Sequence, residues 1–515
     1  MTIEFKFESR LFLFFLIVGV IIRLPSLNAP FIWDDEAIIL NNNVIKSVAN
    51  ISEIFKSDMF GQPMREATQF YRPITLLSFM LNWVISKDRT FFYHLTNTFL
   101  HIINSFLVFL ILNNIVKNKL ISSIVSSFFL ISPVNINTTT YISNRTVLLG
   151  ALFAYTAILL YIYRKHFLSI IFFILSILSK EDFVVLPCIL FCYWFLVQKK
   201  VKDYPPRSII GMVFILVIYI IIRFSMPVYF IPTSFLSNEN NLVRTLTFIR
   251  SIFFYIYKLL IPINVPFEKH FIERNLFSIY TFLFFILVCV AIVVYKTKKE
   301  NLFFILFFVV SLIPTSNIVL PLSATLRSHN IYFASFVPMA YICMYMFSRF
   351  VLIPKLTKLL FFLFLFIYFV LNIYQAVYHT SLWNDKEKFY LKQIQLEPNS
   401  YLCLNNLGLE YVSKRDYDKA KEYFLLSIER SPNSSYSVAW NNLGVMYQRT
   451  GEIDKAIDCY KKSIYYGEYY LAYKNLLEVL YFLGDKEDFK NILSKALKRY
   501  PDDQYLIRLI SLLNK

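Results

Sequence analysis

The sequence predicts an all-α protein in two parts, a polytopic bundle of transmembrane helices followed by an α-solenoid of short helical repeats. Three observations carry this. Of the 515 residues 57% are hydrophobic and 17% charged, with a mean hydropathy of +0.53, more apolar than a water-exposed surface tolerates. The apolar runs stop near Tyr378, and the remainder is a mixture of polar, charged and aromatic residues, so the two parts face different solvents. From Ser400 onward, small and aromatic residues recur with a spacing of about 34 residues, which is the signature of stacked helix pairs.

The membrane part is assigned to residues 1–378. Apolar stretches suited to a core of roughly 30 Å fall at residues 11–27, 93–116, 120–131, 146–163, 168–178 and 183–197. Others follow at 209–226, 277–295, 302–314, 331–347 and 359–374, giving about eleven spans, several of which must tilt or extend into polar flanks. The first stretch follows Lys6 and Arg10 and ends without a small-residue cleavage site, so it is read as an uncleaved anchor. Residues 28–92 form a long first loop.

The net charge of +18 raises the question of nucleic acid. The basic residues answer it by lying in short runs between apolar segments: Lys6/Arg10, Lys117/Lys119, Arg164/Lys165, Lys199/Lys200/Lys202, Lys296/Lys298/Lys299 and Arg349/Lys355/Lys358. That is the pattern of cytoplasmic loops, and no nucleic-acid partner is expected. The assignment holds if residues 245–262, an apolar stretch carrying Arg250 and Lys258, lie along the membrane surface. An odd number of crossings then puts the loop 28–92 and the C-terminal part on one noncytoplasmic side. The 6 cysteines include no CxxC spacing, which argues against zinc and a disulfide framework.

The repeats are tetratricopeptide repeats. Leu404, Leu407, Gly408, Tyr411, Ala420, Phe424 and Pro432 define a unit at 401–434. Trp440, Leu443, Gly444, Tyr447, Gly451, Ala456 and Tyr460 define a second at 437–469, after an insertion at Ser434 and Ser435. A weaker third unit at 470–503 carries Tyr473, Leu476, Gly484, Leu493, Ala496 and Pro501. Residues 383–398 read as a preceding half-repeat, and the whole module as 383–515. Small residues let paired helices approach while Tyr and Phe fill the groove between them. Such arrays bind polypeptide segments along a concave face; a spacer or a dimer contact is the alternative.

Chemistry is sought first at Trp33-Asp34-Asp35-Glu36, directly after the first span. Three consecutive acids at a bilayer surface are costly unless solvated or paired. They suit a hydrated helix start, or a general base for an acceptor hydroxyl, with Asp35 the leading candidate and Asp34 or Glu36 the alternates. Arg72, Arg145, Lys180 and Arg327 fall on the same outer side, against the inside preference of the other basic clusters. Each either snorkels to lipid headgroups or meets a phosphate or carboxylate. His94, Asn97, His101 and Asn104 share one face of the second span; helix-helix hydrogen bonding and a site are both open, and the His pair lacks a third metal ligand. The 9 glycines include no phosphate-binding loop, which argues against a nucleotide-sugar donor.

In order, the acidic pair Asp34-Asp35, Tyr71-Arg72-Pro73, His94 with Asn97 and His101, Ser132-Pro-Val, Asn144-Arg145, Lys180-Glu181, Pro314-Thr-Ser-Asn and Arg327 with Tyr332, then the repeats, resemble the transmembrane and tetratricopeptide-repeat O-mannosyltransferases and their prokaryotic relatives. The resemblance implies a GT-C-like bundle and inverting transfer of a sugar, typically mannose, from a polyprenyl-phosphate donor to a protein hydroxyl. It implies that Asp34 and Asp35 match the acidic pair, and that Arg72, Arg145, Lys180, Glu181 and Arg327 match the recurring polar positions. The small number of repeats, and Asn135-Ile-Asn where a histidine is expected, depart from the pattern and bear on the acceptor.

The resulting expectation is an acidic base, with Arg72, Arg145, Lys180 and Arg327 holding the lipid phosphate and His94, His101, Glu181 and Tyr332 in support. The repeats hold the acceptor polypeptide, and no obligatory metal or other cofactor is called for beyond the lipid-linked donor. A noncatalytic scaffold that anchors the repeats for envelope assembly is the alternative. Richness in Phe, Ile, Asn, Lys and Tyr fits an AT-rich genome, so the expected location is a bacterial inner membrane with periplasmic repeats.

Overall fold

The computed structural model describes residues 2–62, 70–198, 207–224, 234–297, 299–319, 321–349, 354–501 and 503–513. The basic positions Lys199, Lys200, Lys202 and Lys298, and the end of the stretch 209–226, lie outside them. The fold is all-α, with one two-residue strand pair among the described residues.

Each of the apolar stretches coincides with a helix, from Thr2–Arg23 to Lys355–Leu382. By length and composition, three described helices suffice to cross a membrane: Thr90–Val116, Ile142–Ile162 and Lys355–Leu382. There are up to five if two bent pairs each count as one span, so the structure does not establish the count of about eleven. One bent pair is Lys119–Ile131 with Pro133–Thr140, at 54°. Its cause is local: Ser132 precedes Pro133 and takes an extended ψ of 123°, because a residue before proline is kept out of the helical region. The first loop also differs from expectation. It contains an apolar helix, Pro73–Ser86, with Leu81 and Ile85 exposed.

Close packing inside the bundle sets the positions of the polar turns. A Cβ on Gly150 would lie 2.2 Å from the Phe183 ring, so only glycine lets the turn after His166–Ser179 seat against the Arg145–Ile162 helix. Ser176 Oγ donates to the Gly150 carbonyl at 2.7 Å and fixes the same contact.

The C-terminal helices form antiparallel pairs, Tyr401–Ser413 with Tyr417–Arg430, Ser437–Arg449 with Ile453–Gly467, and Tyr470–Leu483 with Lys486–Arg499. Ser400 and Asp416 cap the first pair through the Cys403 and Lys419 amides, as short oxygen-bearing side chains do at helix starts. Gly408 and Gly444 repeat one contact, each Cα facing a ring, Phe424 or Tyr460, that a Cβ would meet at 2.6 Å. The half-repeat is the helix Lys386–Leu396, packed on Tyr401–Ser413.

The bundle has its own apolar core, and a second cluster joins one end of it to the repeats. Ala29, Ile32, Tyr141 and Phe267 from the membrane part are buried in the same cluster as Trp383, Phe389, Tyr390 and Tyr401. Trp383 and Phe389 rings lie 4.3 Å apart, and Trp383 stacks on Tyr141 at 6.0 Å. The acidic loop and the repeats therefore lie on the same end of the bundle, in contact.

Candidate active site between the bundle and the repeats

The acidic motif is shaped by its first residue. Trp33 has φ +64°, a strained backbone for a bulky residue, held by its ring packing on Phe267 at 4.9 Å and Tyr390 at 6.2 Å. The three acids that follow have three different environments. Asp35 turns inward and is 1% exposed; one oxygen accepts from the Ser143 amide at 2.9 Å and from the Ser143 hydroxyl, the other from the Ile32 amide at 3.2 Å. Burial pushes its carboxyl up to about 7, against the pull of those donors, and the neighbouring Asp34 adds to the rise.

Asp34 is exposed at the mouth of the site, with its amide donating to the Tyr141 hydroxyl at 3.2 Å. The protein around it withdraws hydration and raises its carboxyl above the ordinary value, while Arg327, Tyr141 and Arg72 draw it back. Glu36, also exposed, pairs with Lys386 of the half-repeat at 2.7 Å.

The four outer basic residues divide in the same way. Arg72 forms a two-pronged bond to Glu181 at 2.9 and 2.5 Å, and Lys180 pairs with Asp182 at 2.7 Å. Arg327 is held by Ser323 Oγ at 2.8 Å, and Glu268 stands 3.9 Å from its Nε, so its charge is the least compensated of these three. Arg145 is different: it is fully buried. Its guanidinium donates to Asn97 Oδ1 at 2.8 Å, the Tyr93 carbonyl at 3.0 Å, the Ser78 carbonyl at 3.3 Å and Asn82 Oδ1, and it stacks on Phe79 at 4.5 Å. The expectation that Arg145 meets a lipid phosphate is corrected by this arrangement, because its donors are spent on helix-helix contacts.

The polar face of the Thr90–Val116 helix is also structural. His94 Nε2 lies 3.0 Å from the Ala29 carbonyl. His101 Nε2 lies 3.1 Å from the Leu130 carbonyl and Nδ1 2.7 Å from the Tyr332 hydroxyl; a carbonyl only accepts, so Nε2 carries the proton and Nδ1 accepts from Tyr332. Asn104 donates to the same hydroxyl at 3.1 Å. These bonds tie the helix to its neighbours in the bundle.

Two buried polar residues were not singled out from the sequence. Arg23, buried at the end of the first helix, donates to the Leu130 carbonyl at 3.1 Å and to Thr139 at 3.3 Å. His329 is buried with an unpartnered Nδ1, and Lys180, Arg327 and Arg72 are its charged neighbours; the triplet Arg327-Ser-His329 was the available signal. Among the described residues no three His, Cys, Asp or Glu side chains are grouped to hold a metal ion.

Fold and site together define a helical protein with membrane-type apolar helices and a tetratricopeptide-repeat solenoid docked over a cluster of carboxylates and cations. The tetratricopeptide repeat family matches residues 402–434 and 437–466. The chain is similar to the protein O-mannosyl-transferases. It is 26% identical to F38B6.6 of Caenorhabditis elegans over 262 residues, 49% of this chain and 38% of that protein. It is 32% identical to human TMTC3 over 155 residues, 29% of this chain and 17% of that one. The chain thus spans well under half the length of these curated relatives. Among solved structures, MamA aligns with 26% of the chain at 24% identity, covering 78% of MamA, with a TM-score of 0.22.

Proposed function

We propose that the chain is a membrane glycosyltransferase that moves a sugar, mannose by its resemblance, from a polyprenyl-phosphate carrier to a hydroxyl of a polypeptide. The observation that carries this reading is the exposed Asp34 carboxylate, within electrostatic reach of Arg327 and Arg72, on the loop whose Trp33 packs against Tyr390 of the half-repeat. In the step, the acceptor oxygen attacks the anomeric carbon and gives its proton to Asp34. The bond from that carbon to the phosphate oxygen breaks, its electron pair leaves with the polyprenyl phosphate, and the configuration inverts. Arg327, with Arg72 behind it, balances the departing charge, as preorganised cations do in a water-poor site. A monophosphate leaves with less charge than a nucleoside diphosphate, so arginines suffice without an obligatory divalent ion.

Other features fit. Asp35, locked to Ser143, positions the loop that aims Asp34. An apolar groove of about 230 Å³, lined by Ile252, Ile256, Leu260, Phe308, Val337 and Ile342, suits an isoprenoid tail; it begins on the helix that follows Arg327 in sequence. The bundle is of the GT-C kind in this reading, the repeats hold the acceptor, and the acidic loop and the repeats sit on the noncytoplasmic side, in the periplasm of a bacterium whose inner membrane holds the bundle.

The test is transfer by the purified chain in lipid nanodiscs, with radiolabelled polyprenyl-phosphate mannose and a peptide bearing Ser and Thr hydroxyls. Mannosylated peptide and free polyprenyl phosphate in equal amounts are expected. Absence of sugar transfer from any polyprenyl-phosphate donor offered, by protein shown to be folded, overturns the reading in favour of a scaffold.

A further inference from the structure

Two side chains that flank Arg327 are held by the start of the first repeat helix. One is Glu268, which pairs with Arg327 across the only described strand pair. Its side chain is 1% exposed, with Oε2 3.9 Å from Arg327 Nε and Oε1 accepting from the hydroxyl of Ser400 at 2.5 Å. The other is Ser323, whose Oγ accepts from Arg327 at 2.8 Å and whose carbonyl accepts from the hydroxyl of Tyr401 at 3.0 Å. Ser400 and Tyr401 are consecutive, the cap and first residue of the Tyr401–Ser413 helix. The remaining support comes from the bundle: Tyr255 donates to the Arg327 carbonyl at 2.9 Å, and Asn317 closes the loop through the Thr325 carbonyl at 2.9 Å.

A buried carboxylate with an unpartnered oxygen facing a half-open guanidinium is costly. Here neither group completes a hydrogen bond to the other, so the pair sets the direction of the guanidinium without consuming its donors. We infer that the first repeat helix is a positioning element of the transfer site: Ser400 and Tyr401, acting through Glu268 and Ser323, aim Arg327 at the donor phosphate. This rests on the transferase reading, and it assigns the repeats a role besides acceptor binding. Seating of the solenoid and readiness of the donor site are then one event.

The experiment uses the full chain in nanodiscs, with Ser400→Ala/Tyr401→Phe, which removes both hydroxyls and keeps the buried ring. Two readouts are taken: equilibrium binding of polyprenyl phosphate itself, and steady-state transfer with a short peptide and a long one. The account expects polyprenyl phosphate affinity and kcat/KM for the donor to fall about tenfold, as for a misaimed charge-assisted contact, with the acceptor KM unchanged for both peptides. Lys386→Ala breaks the 2.7 Å pair to the exposed Glu36 between the repeats and the bundle and is expected to leave donor binding within about twofold. Should the double variant be poorly folded, Tyr401→Phe alone is read, with a loss of about threefold expected. Unchanged polyprenyl phosphate binding in a folded variant, an effect on the acceptor KM alone, or no polyprenyl phosphate binding by the parent protein each overturns the inference. Absence of transfer by a parent protein that binds polyprenyl phosphate counts against the transferase reading instead, and the binding comparison still decides this one.

Discussion

Asp34→Asn is expected to lower the rate of sugar transfer by about 10²- to 10⁴-fold, the usual worth of a positioned general base, with the folded protein intact. The side chain is exposed, and the amide oxygen of asparagine can keep the contact that the buried Tyr141 hydroxyl makes with it. Its amide bond to Tyr141 is made by the backbone and survives. The pH dependence has a determined sign. The Asp34 carboxyl lies above its ordinary value, mainly because the surrounding protein withdraws water, so the basic form is lost at a higher pH than for a free aspartate of about 3.9. Transfer therefore falls as pH is lowered, along a limb that begins above that value and is absent from Asp34→Asn. Initial rates between about pH 4 and 8 measure both effects. Glu36→Gln, which costs only the exposed pair to Lys386, is expected to change the rate by less than about threefold.

Arg145→Leu is expected to lower folding stability strongly, at about 1–3 kcal/mol for each buried acceptor left without a donor. Asn97 Oδ1, Asn82 Oδ1 and the carbonyls of Ser78 and Tyr93 would all lose a donor in a dry interior. Arg145→Lys is not expected to rescue, because an ammonium cannot span four acceptors set for a planar fork. Arg327→Met should differ, weakening donor binding at a smaller cost in stability than Arg145→Leu, since it removes one bond to Ser323 and a counter-charge 3.9 Å from Glu268, whose other oxygen Ser400 still holds. Thermal unfolding of the detergent-solubilised variants separates the two. Equal destabilisation by both would contradict the division of the cations into scaffold and site.

The repeats were legible because their helix pairs impose a period: Gly408 and Gly444 recur for the same contact with Phe424 and Tyr460, and local packing of that kind is written into spacing. The acidic motif was legible as a place but not as a set of roles. Which of two adjacent carboxylates turns inward depends on the positive φ of Trp33 and on donors at Ser143, 108 positions away, and no local pattern encodes either. Arg145 was misread for the same reason, as its acceptors come from Asn82 and Asn97, 63 and 48 positions away. The shared face of His94, Asn97, His101 and Asn104 followed from helical periodicity, and hydrogen bonding between helices explains it. The interface of Glu268, Gln393 and Ser400 had no signal, since these are ordinary surface residues until the fold buries them.

All of the chemistry requires the acidic loop and the solenoid to share one compartment, as the contacts of Trp33 with Tyr390 and of Glu36 with Lys386 demand. The direct measurement is labelling with a membrane-impermeant maleimide in sealed vesicles of known orientation, using Glu36→Cys and Tyr465→Cys singly in a chain whose native cysteines are replaced. Tyr465 is 83% exposed on the second repeat and reports the solenoid alone. Both positions are predicted to label from the noncytoplasmic face and neither from the cytoplasmic one. Labelling of the two from opposite faces would contradict the account, because a polypeptide held by the repeats could then never reach Asp34.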